Sequence, residues 1–339
     1  TSRALLPSSA NPARATEVRR RASAGSRFFS SFALRPIAAS AWLIPFLAHD
    51  FSARGIDPWT MFSSGLGHAT SFRGSDTLVV IPAARYFYGE NEVVINSVNA
   101  SEHSVSTTKI FTVGEKQMLV DWMNKFDKGI LSVVMDTFDI TKVAKPSEGG
   151  YCFDLKDQIM NRDGKLVIRP DSGDPVEIIC GHGRTDLNEN EMRAFYPEFY
   201  TKGLIECLWD IFGGTKTKQG YKLLDSHIGL IYGDAITVER QEQILEGLTA
   251  KGFVPSVVLG IGSYTYNMNS RDSLGIAIKA SSVTINGVEQ PIFKDPKTDD
   301  GVKKSPYGRI QIADVYTQGL VQFDERLKVV GINDCLKPR

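Results

Sequence analysis

From about residue 90 onward, apolar positions alternate between two spacings. Leu119, Trp122, Met123 and Phe126 recur at i, i+3, i+4 and i+7, which places them on one face of a helix. Ile130 to Met135 follows Lys128-Gly129 as a short, β-rich apolar run, and Lys165 to Ile168 repeats the pattern. Leu204, Leu208, Ile211 and Phe212 form a second helical stripe, stopped by Gly213-Gly214. Ile228 to Tyr232 reads as a strand. Val238, Leu245 and Leu248 predict the buried face of the helix after it, and Val257 to Leu259 predicts the next strand. Unbroken apolar strands separated by amphipathic helices describe βα units, in which helices cover a parallel sheet. Past residue 280 the pattern changes. Asn286-Gly287 stands between Val283-Thr-Ile285 and Val288-Glu-Gln290, a two-residue hairpin signal, so an antiparallel element is appended to the βα core. Gly181 to Asn190 is polar and reads as a surface loop. No internal repeat is present.

Charge and cysteine content narrow the class. Lys plus Arg equals Asp plus Glu at 39 each, so no global field directs the chain to nucleic acid or membrane. Cys152, Cys180, Cys207 and Cys335 have no C-x-x-C spacing and no clustered histidines, which argues against a disulfide framework or zinc site and fits a cytoplasmic protein. The longest apolar run, Ile37 to Ala48, falls short of the roughly 18 residues of a membrane span and is broken by Pro45. Residues 1–43 carry seven arginines against one acid, Glu17, and are rich in Ser and Ala. This composition resembles a transit peptide. With Thr1 and no methionine at the start, the reading preferred here is a disordered, atypical extension.

The ends of the predicted strands carry the chemistry. The first runs into Asp136-Thr-Phe-Asp139 and the second into Arg169-Pro-Asp171-Ser-Gly173-Asp174-Pro175. The third ends in Gly233-Asp234 and the fourth in Gly260-Ile-Gly262-Ser263. Parallel α/β folds bind ligands at the carboxyl ends of their strands, so these four loops should converge on one site. Three bring carboxylates and the fourth brings glycines that let backbone N–H groups approach an anion, a combination suited to magnesium and a phosphorylated sugar. Singly, each has a plainer reading: Asp139 or Asp174 alone is more often a helix cap, and one Gly-x-Gly is a common turn.

Lys165-Leu-Val-Ile-Arg-Pro-Asp-Ser-Gly-Asp-Pro175 resembles the signature strand and loop of the nicotinate/nicotinamide phosphoribosyltransferase family. So do His49-Asp-Phe-Ser-Ala-Arg-Gly55, Phe72-Arg-Gly-Ser-Asp-Thr77, Ala100-Ser-Glu-His-Ser104, Ser132-Val-Val-Met-Asp136, Gly233-Asp234 and Phe293-Lys-Asp-Pro296. These motifs occur in the family's order between about Ile44 and Arg309. Gly260-Ile-Gly-Ser-Tyr-Thr265 is closest to the bacterial and phage branch. The resemblance implies an incomplete α/β barrel (the type II phosphoribosyltransferase fold) with remnants of a smaller sheet domain, working as a homodimer with shared sites. It divides the chain into an extension (1–43), the barrel (44–280), an antiparallel element with a phosphate-contacting loop (281–317) and an atypical tail (318–339). The family carries a long further segment before the region matching Ile44, including an aromatic residue that reaches the partner's nicotinamide. Residues 1–43 have no equivalent, so the chain reads as truncated at its amino terminus.

The implied reaction joins nicotinamide to phosphoribosyl pyrophosphate, giving nicotinamide mononucleotide and pyrophosphate. Carried over residue by residue, Phe51 would stack on the pyridine ring and Asp76 would accept a hydrogen bond from the carboxamide. Arg169 would bind the carboxamide or the phosphates, and Asp171 and Asp234 the ribose hydroxyls. Ser97, Ser132 and Gly233 would line the pocket with Asp136, and magnesium would be held through water at Asp136 or Asp171. Gly262, Ser263 and Arg271 would hold the 5′-phosphate, although Ser263-Tyr264 stands where other members have glycines. Arg54, Lys279, Lys294 and Lys303 would meet pyrophosphate or nucleotide phosphates. His103 would be phosphorylated by the co-substrate ATP, and with Asp136, Asp171 and Asp234 would complete the catalytic set. The alternatives are a nicotinate phosphoribosyltransferase and a catalytically inactive remnant of the family.

Overall fold

The computed structural model describes residues 43–181, 198–269, 273, 278–299, 301, 303–315 and 319–324. Arg271, the extension before residue 43, the tail after residue 324 and all of the expected loop except Gly181 lie outside them.

Seven strands make one parallel sheet: β1 (Ala48–Asp50), β2 (Gly74–Ser75), β3 (Asn99–Ala100), β4 (Lys128–Val134), β5 (Asp163–Arg169), β8 (Ile228–Tyr232) and β9 (Val258–Ile261). One antiparallel excursion, β6 (Gly214–Lys216) paired with β7 (Lys222–Leu224), stands between β5 and β8 in sequence. The order across the sheet is β2-β1-β9-β8-β5-β4-β3, and each neighbouring pair is parallel. Read from β3 round to β2, this is the chain order taken as a ring. The sheet therefore curls into a barrel that is incomplete only between β2 and β3. There Gly74 makes an isolated parallel bridge to Asn96, and Ser75 N–H donates to the Asn96 carbonyl at 3.0 Å.

The apolar runs explain the strands. β4 and β5 pair over seven residues, from Lys128↔Asp163 to Val134↔Arg169, and the last four positions of each are buried. Leu131, Val133, Leu166, Ile168, Leu230 and Leu259 join one core with Leu119, Met123, Leu204, Leu208, Ile211, Ile244 and Leu248 from the helices. The helix Glu115–Lys125 buries Leu119 and Met123, with Trp122 and Phe126 packed against the core, as the periodicity predicts. The helix Leu204–Phe212 matches its predicted stripe.

Val238 does not. It begins the helix Val238–Ala250 and is 47% exposed, while Ile244 takes the buried position beside Leu245 and Leu248. The predicted hairpin is present as β10 (Ser282–Ile285) and β11 (Val288–Pro291), turning through Asn286 and Gly287 at φ 51° and 79°. Positive φ at both central residues is the type I′ geometry that Asn-Gly favours. A second hairpin pairs β12 (Ile310–Val315) with β13 (Gly319–Asp324), running across the expected boundary at residue 317.

Cys152, Cys180 and Cys207 are free and buried, and burial pushes each thiol up to about 12, so they behave as core residues. No helix among the described residues is long and apolar enough to cross a membrane.

Candidate active site

The carboxyl ends of β4, β5, β8 and β9 do converge. At their centre is Asp136, just past β4 and 1% exposed. Its Oδ1 meets His103 Nε2 at 3.0 Å. Its Oδ2 accepts from Asp171 N–H at 3.0 Å and from the Ser172 hydroxyl at 2.5 Å, with Lys294 Nζ at 3.4 Å. Burial pushes the Asp136 carboxyl up, but the His103 bond, the Lys294 charge and the Ser172 hydroxyl outweigh it and hold it well below the usual range. Lys294 Nζ also lies 2.7 Å from His103 Nε2. One ring nitrogen cannot donate to Asp136 and accept from Lys294 at once, so the tautomer of His103 selects between these partners.

His103 opens the helix His103–Val113, and its Nδ1 faces Asp171 Oδ2 at 3.9 Å. Asp171 is pulled both ways. Burial and neighbouring Asp136 raise its carboxyl, Arg169, His103 and Lys303 lower it, and the balance lies above the usual range. The pair thus keeps one carboxylate firmly ionised while the other binds its proton more tightly.

A second group forms around β1. Phe51 follows that strand, and the Arg169 guanidinium lies over its ring at 5.1 Å. Gly260 and Gly233 make room for the ring: a Cβ on Gly260 would stand 2.6 Å from Phe51, and one on Gly233 3.4 Å away. Asp76 meets His49 Nε2 at 3.0 Å and the Ser97 hydroxyl at 2.6 Å, both at Oδ1. Burial opposes ionisation of Asp76, but these bonds and the His49 and Arg169 charges hold its carboxyl below the ordinary value. Arg169 is 5% exposed and reaches Glu102 Oε1 at 3.5 Å. Its Nε is buried with no partner among the described residues. A buried donor left unpaired costs about 1–3 kcal/mol, so this N–H is suited to an acceptor that arrives with a ligand.

The segment Ile292 to Ser305 straps the mouth of the barrel. Asp295 N–H donates to the Thr137 carbonyl at 3.0 Å and Lys297 N–H to the Phe138 carbonyl at 2.8 Å. Phe293 packs on Phe111, Phe138 and Tyr307. The strap delivers Lys294 to Asp136 and Lys303 to the Asp171 carbonyl and to Asp234, with 2.5 Å between Lys303 Nζ and Asp234 Oδ2. Asp139 and Asp174, by contrast, are helix caps: Asp139 accepts from Thr141 N–H, Asp174 from Val176 and Glu177 N–H.

A cavity of about 400 Å³ opens beside these groups, lined among others by Phe51, Arg54, Gly233, Asp234, Gly262 and Ser263. A Cβ on Gly262 would meet nothing within 4 Å, so its backbone faces open space. Ser132 is buried in β4, and its carbonyl accepts from Ser101 N–H at 3.0 Å. Lys279 stands exposed just ahead of β10.

Sequence reasoning missed His49, Ser172, Glu102 and Gly260 as supports of the site. His49 was legible in principle, since it stands two residues before Phe51, and the two rings lie 4.6 Å apart. Glu102 and Ser172 adjoin predicted site residues, but nothing in their spacing marks a role.

Among the described residues no three His, Cys, Asp or Glu side chains are grouped to hold a metal ion. Both Asp136 oxygens are engaged within the protein, whereas the Asp171 carboxylate faces the partly open mouth.

Residues 46–327 match the Nicotinate phosphoribosyltransferase (NAPRTase) family. The chain is 42% identical over 293 residues to a nicotinamide phosphoribosyltransferase of Acinetobacter baylyi, covering 83% of this chain and 54% of that one. It is 35% identical over 270 residues to a nicotinamide phosphoribosyltransferase of Mycoplasma pneumoniae, covering 78% and 53%. A protein of the same name from Xanthomonas campestris is 31% identical over 278 residues, covering 79% and 52%. The chain spans about half the length of the curated relatives it matches.

Proposed function

Because the chain belongs to the nicotinate phosphoribosyltransferase family, we propose that it transfers the phosphoribosyl group of phosphoribosyl pyrophosphate to nicotinamide. The observation that carries the choice of nicotinamide is the trio around Phe51. The ring offers an aromatic face, ionised Asp76 an acceptor, and buried Arg169 Nε a donor without a partner among the described residues. A carboxamide supplies both the N–H and the C=O that this set needs. A carboxylate would set a second negative charge against Asp76.

In the reaction the pyridine nitrogen forms a bond to C1 of the ribose as the C1–O bond breaks, and the electron pair leaves with pyrophosphate. Positive charge grows on the sugar in the transition state. Asp234 in the cavity wall and Asp171 beside Gly233 hold the ribose and oppose that charge, while Arg54 and Lys303 neutralise phosphate. Gly262 and Ser263 offer open backbone to the 5′-phosphate.

Magnesium fits this site as an ion brought by the substrate's own phosphates, with Asp171 reaching it through water, because Mg²⁺ retains waters and favours carboxylate and phosphate oxygens. When bound, it offsets negative charge on the leaving pyrophosphate. In the ATP-coupled step a ring nitrogen of His103 forms a bond to the γ-phosphorus of ATP as the P–O bond to ADP breaks, and ADP leaves with the electron pair. Asp136 and Lys294 orient the ring, and Lys294 balances the charge that phosphorylation adds. We place the working form as a cytoplasmic homodimer whose sites are completed between subunits.

The decisive experiment mixes purified chain with nicotinamide, phosphoribosyl pyrophosphate and Mg²⁺, with and without ATP, and measures nicotinamide mononucleotide by chromatography. Product formation that rises with ATP supports the reading. No product from a chain that binds both substrates sinks it.

A further inference from the structure

We propose that Arg240 is an anion-binding residue of the cavity, taking the phosphate monoester of the sugar phosphate. This rests on the phosphoribosyl reading above and adds a residue to it. Arg240 lies in the first turn of the helix Val238–Ala250 and lines the cavity with Arg54, Gly233, Asp234, Gly262 and Ser263. Its side chain folds back over the turn that precedes the helix. Nη1 donates to the Ala235 carbonyl at 2.7 Å, and Nη2 lies 3.8 Å from Asp174 Oδ2.

These contacts fix the guanidinium at the wall without exhausting it. A guanidinium has five N–H donors, and the bond to Ala235 uses one. Asp174 is a weak competitor at 3.8 Å, because its Oδ1 already caps the helix Pro175–Cys180. A guanidinium held in place before binding loses less freedom when the ligand arrives, and its planar fork matches two oxygens of a phosphate. The charge of the wall points the same way. Asp234 is paired with Lys303 at 2.5 Å, so the two guanidinium groups of Arg54 and Arg240 leave the cavity cationic.

The same hydrogen bond admits a purely supporting role, and the test must separate the two. Ala235 has φ 53°, a conformation L residues other than Asn, Asp and His rarely adopt, and Arg240 holds its carbonyl. If Arg240 served only to hold that turn, glycine at position 235 would relieve the need for it.

The test is calorimetric titration of the full chain with ribose 5-phosphate, with ribose as control. Wild type should bind ribose 5-phosphate. Arg240→Met should weaken it by roughly ten- to hundredfold, the range for losing hydrogen bonds to a charged group. Arg240→Lys should recover only part of this, and the Ala235→Gly, Arg240→Met double variant should remain as weak as Arg240→Met. An unchanged Kd in Arg240→Met, recovery in the double variant, or no binding by wild type overturns the proposal. Arg240-dependent binding by a chain that makes no nicotinamide mononucleotide would defeat the proposed function alone.

Discussion

His103 and Asp136 stand 33 residues apart in the chain, and their side chains meet at 3.0 Å over a carboxylate that is 1% exposed. Asp136 is fixed in turn by Asp171 N–H, Ser172 and Lys294. The imidazole is therefore held by a partner that cannot swing away into solvent. A ring so held has one orientation to offer the phosphoryl group proposed for it, and removing it leaves the surrounding carboxylates in place.

On that basis His103→Ala should abolish stimulation by ATP while weak ATP-independent synthesis survives. Incubation with γ-labelled ATP should leave acid-labile, base-stable label on the wild type and none on the variant. Label retained by His103→Ala would place the phosphate on another residue.

Asp76→Asn should relax the preference for nicotinamide over nicotinate. Losing a charge-assisted hydrogen bond costs about 1.5–3 kcal/mol, roughly ten- to hundredfold in the ratio of kcat/KM values. An unchanged ratio would remove Asp76 from the specificity pocket.

The carboxylates at the mouth should separate by burial. Asp234 is 44% exposed and Asp171 17%, so Asp171→Ala and Asp234→Ala should cut turnover by orders of magnitude with little change in Tm. Asp136→Ala leaves Lys294 buried without its counter-charge, and breaking such a pair costs about 3–5 kcal/mol, so its Tm should fall by many degrees. Equal Tm losses in all three variants would make Asp171 and Asp234 structural.

Glu115 sets a pH dependence of stability. It is 8% exposed, its Oε1 has no partner among the described residues, and burial with nearby Asp136 and Asp139 raises its carboxyl to about 7. A carboxyl raised above its unfolded value binds more protons in the folded state, so its effect is a loss of stability as pH climbs from the unfolded pKa toward 7. A shift of this size corresponds to about 3 kcal/mol. Glu115→Gln should flatten that decline, with the gain over wild type larger at pH 8 than at pH 5 in denaturant melts. The same difference at both pH values would exclude Glu115 as the source.

Gly260→Ala should raise the KM for nicotinamide, because the new methyl would stand 2.6 Å from both Phe51 and the Gly233 Cα. Overpacking of this kind also costs about 1–3 kcal/mol of stability. An unchanged KM would show that Phe51 does not need its present position.

The strands were legible because both their faces are covered, which forces unbroken apolar runs such as those ending at Val134 and Ile168. Asp136, Asp171 and Asp234 were legible for the same reason, since each is a charge set directly after such a run. Lys294 could be placed only through the family resemblance. It lies 158 residues from Asp136, and no local pattern marks which lysine of a polar stretch will cross that distance. Val238 misled because apolar spacing registers a helical face but not which of its positions the core reaches: Val238 is 47% exposed, whereas Ile244 is buried. Asp139 and Asp174 show the limit of reading carboxylates after strands: the same residue type in the same place spends one oxygen on helix N–H groups.

The strap also fixes an order of events during synthesis. The ribosome makes β9 before Lys294 and Lys303, so a barrel formed without the strap would hold Asp136, Asp171 and Asp234 close together with neither lysine to offset them. Their mutual repulsion works against closing the mouth at that stage. Locking the site is thus left to a segment that follows the barrel in the chain, and a chain ending between residues 261 and 292 would carry every strand of the seven-stranded sheet around a mouth whose carboxylates keep only His103 and Arg169 as nearby counter-charges.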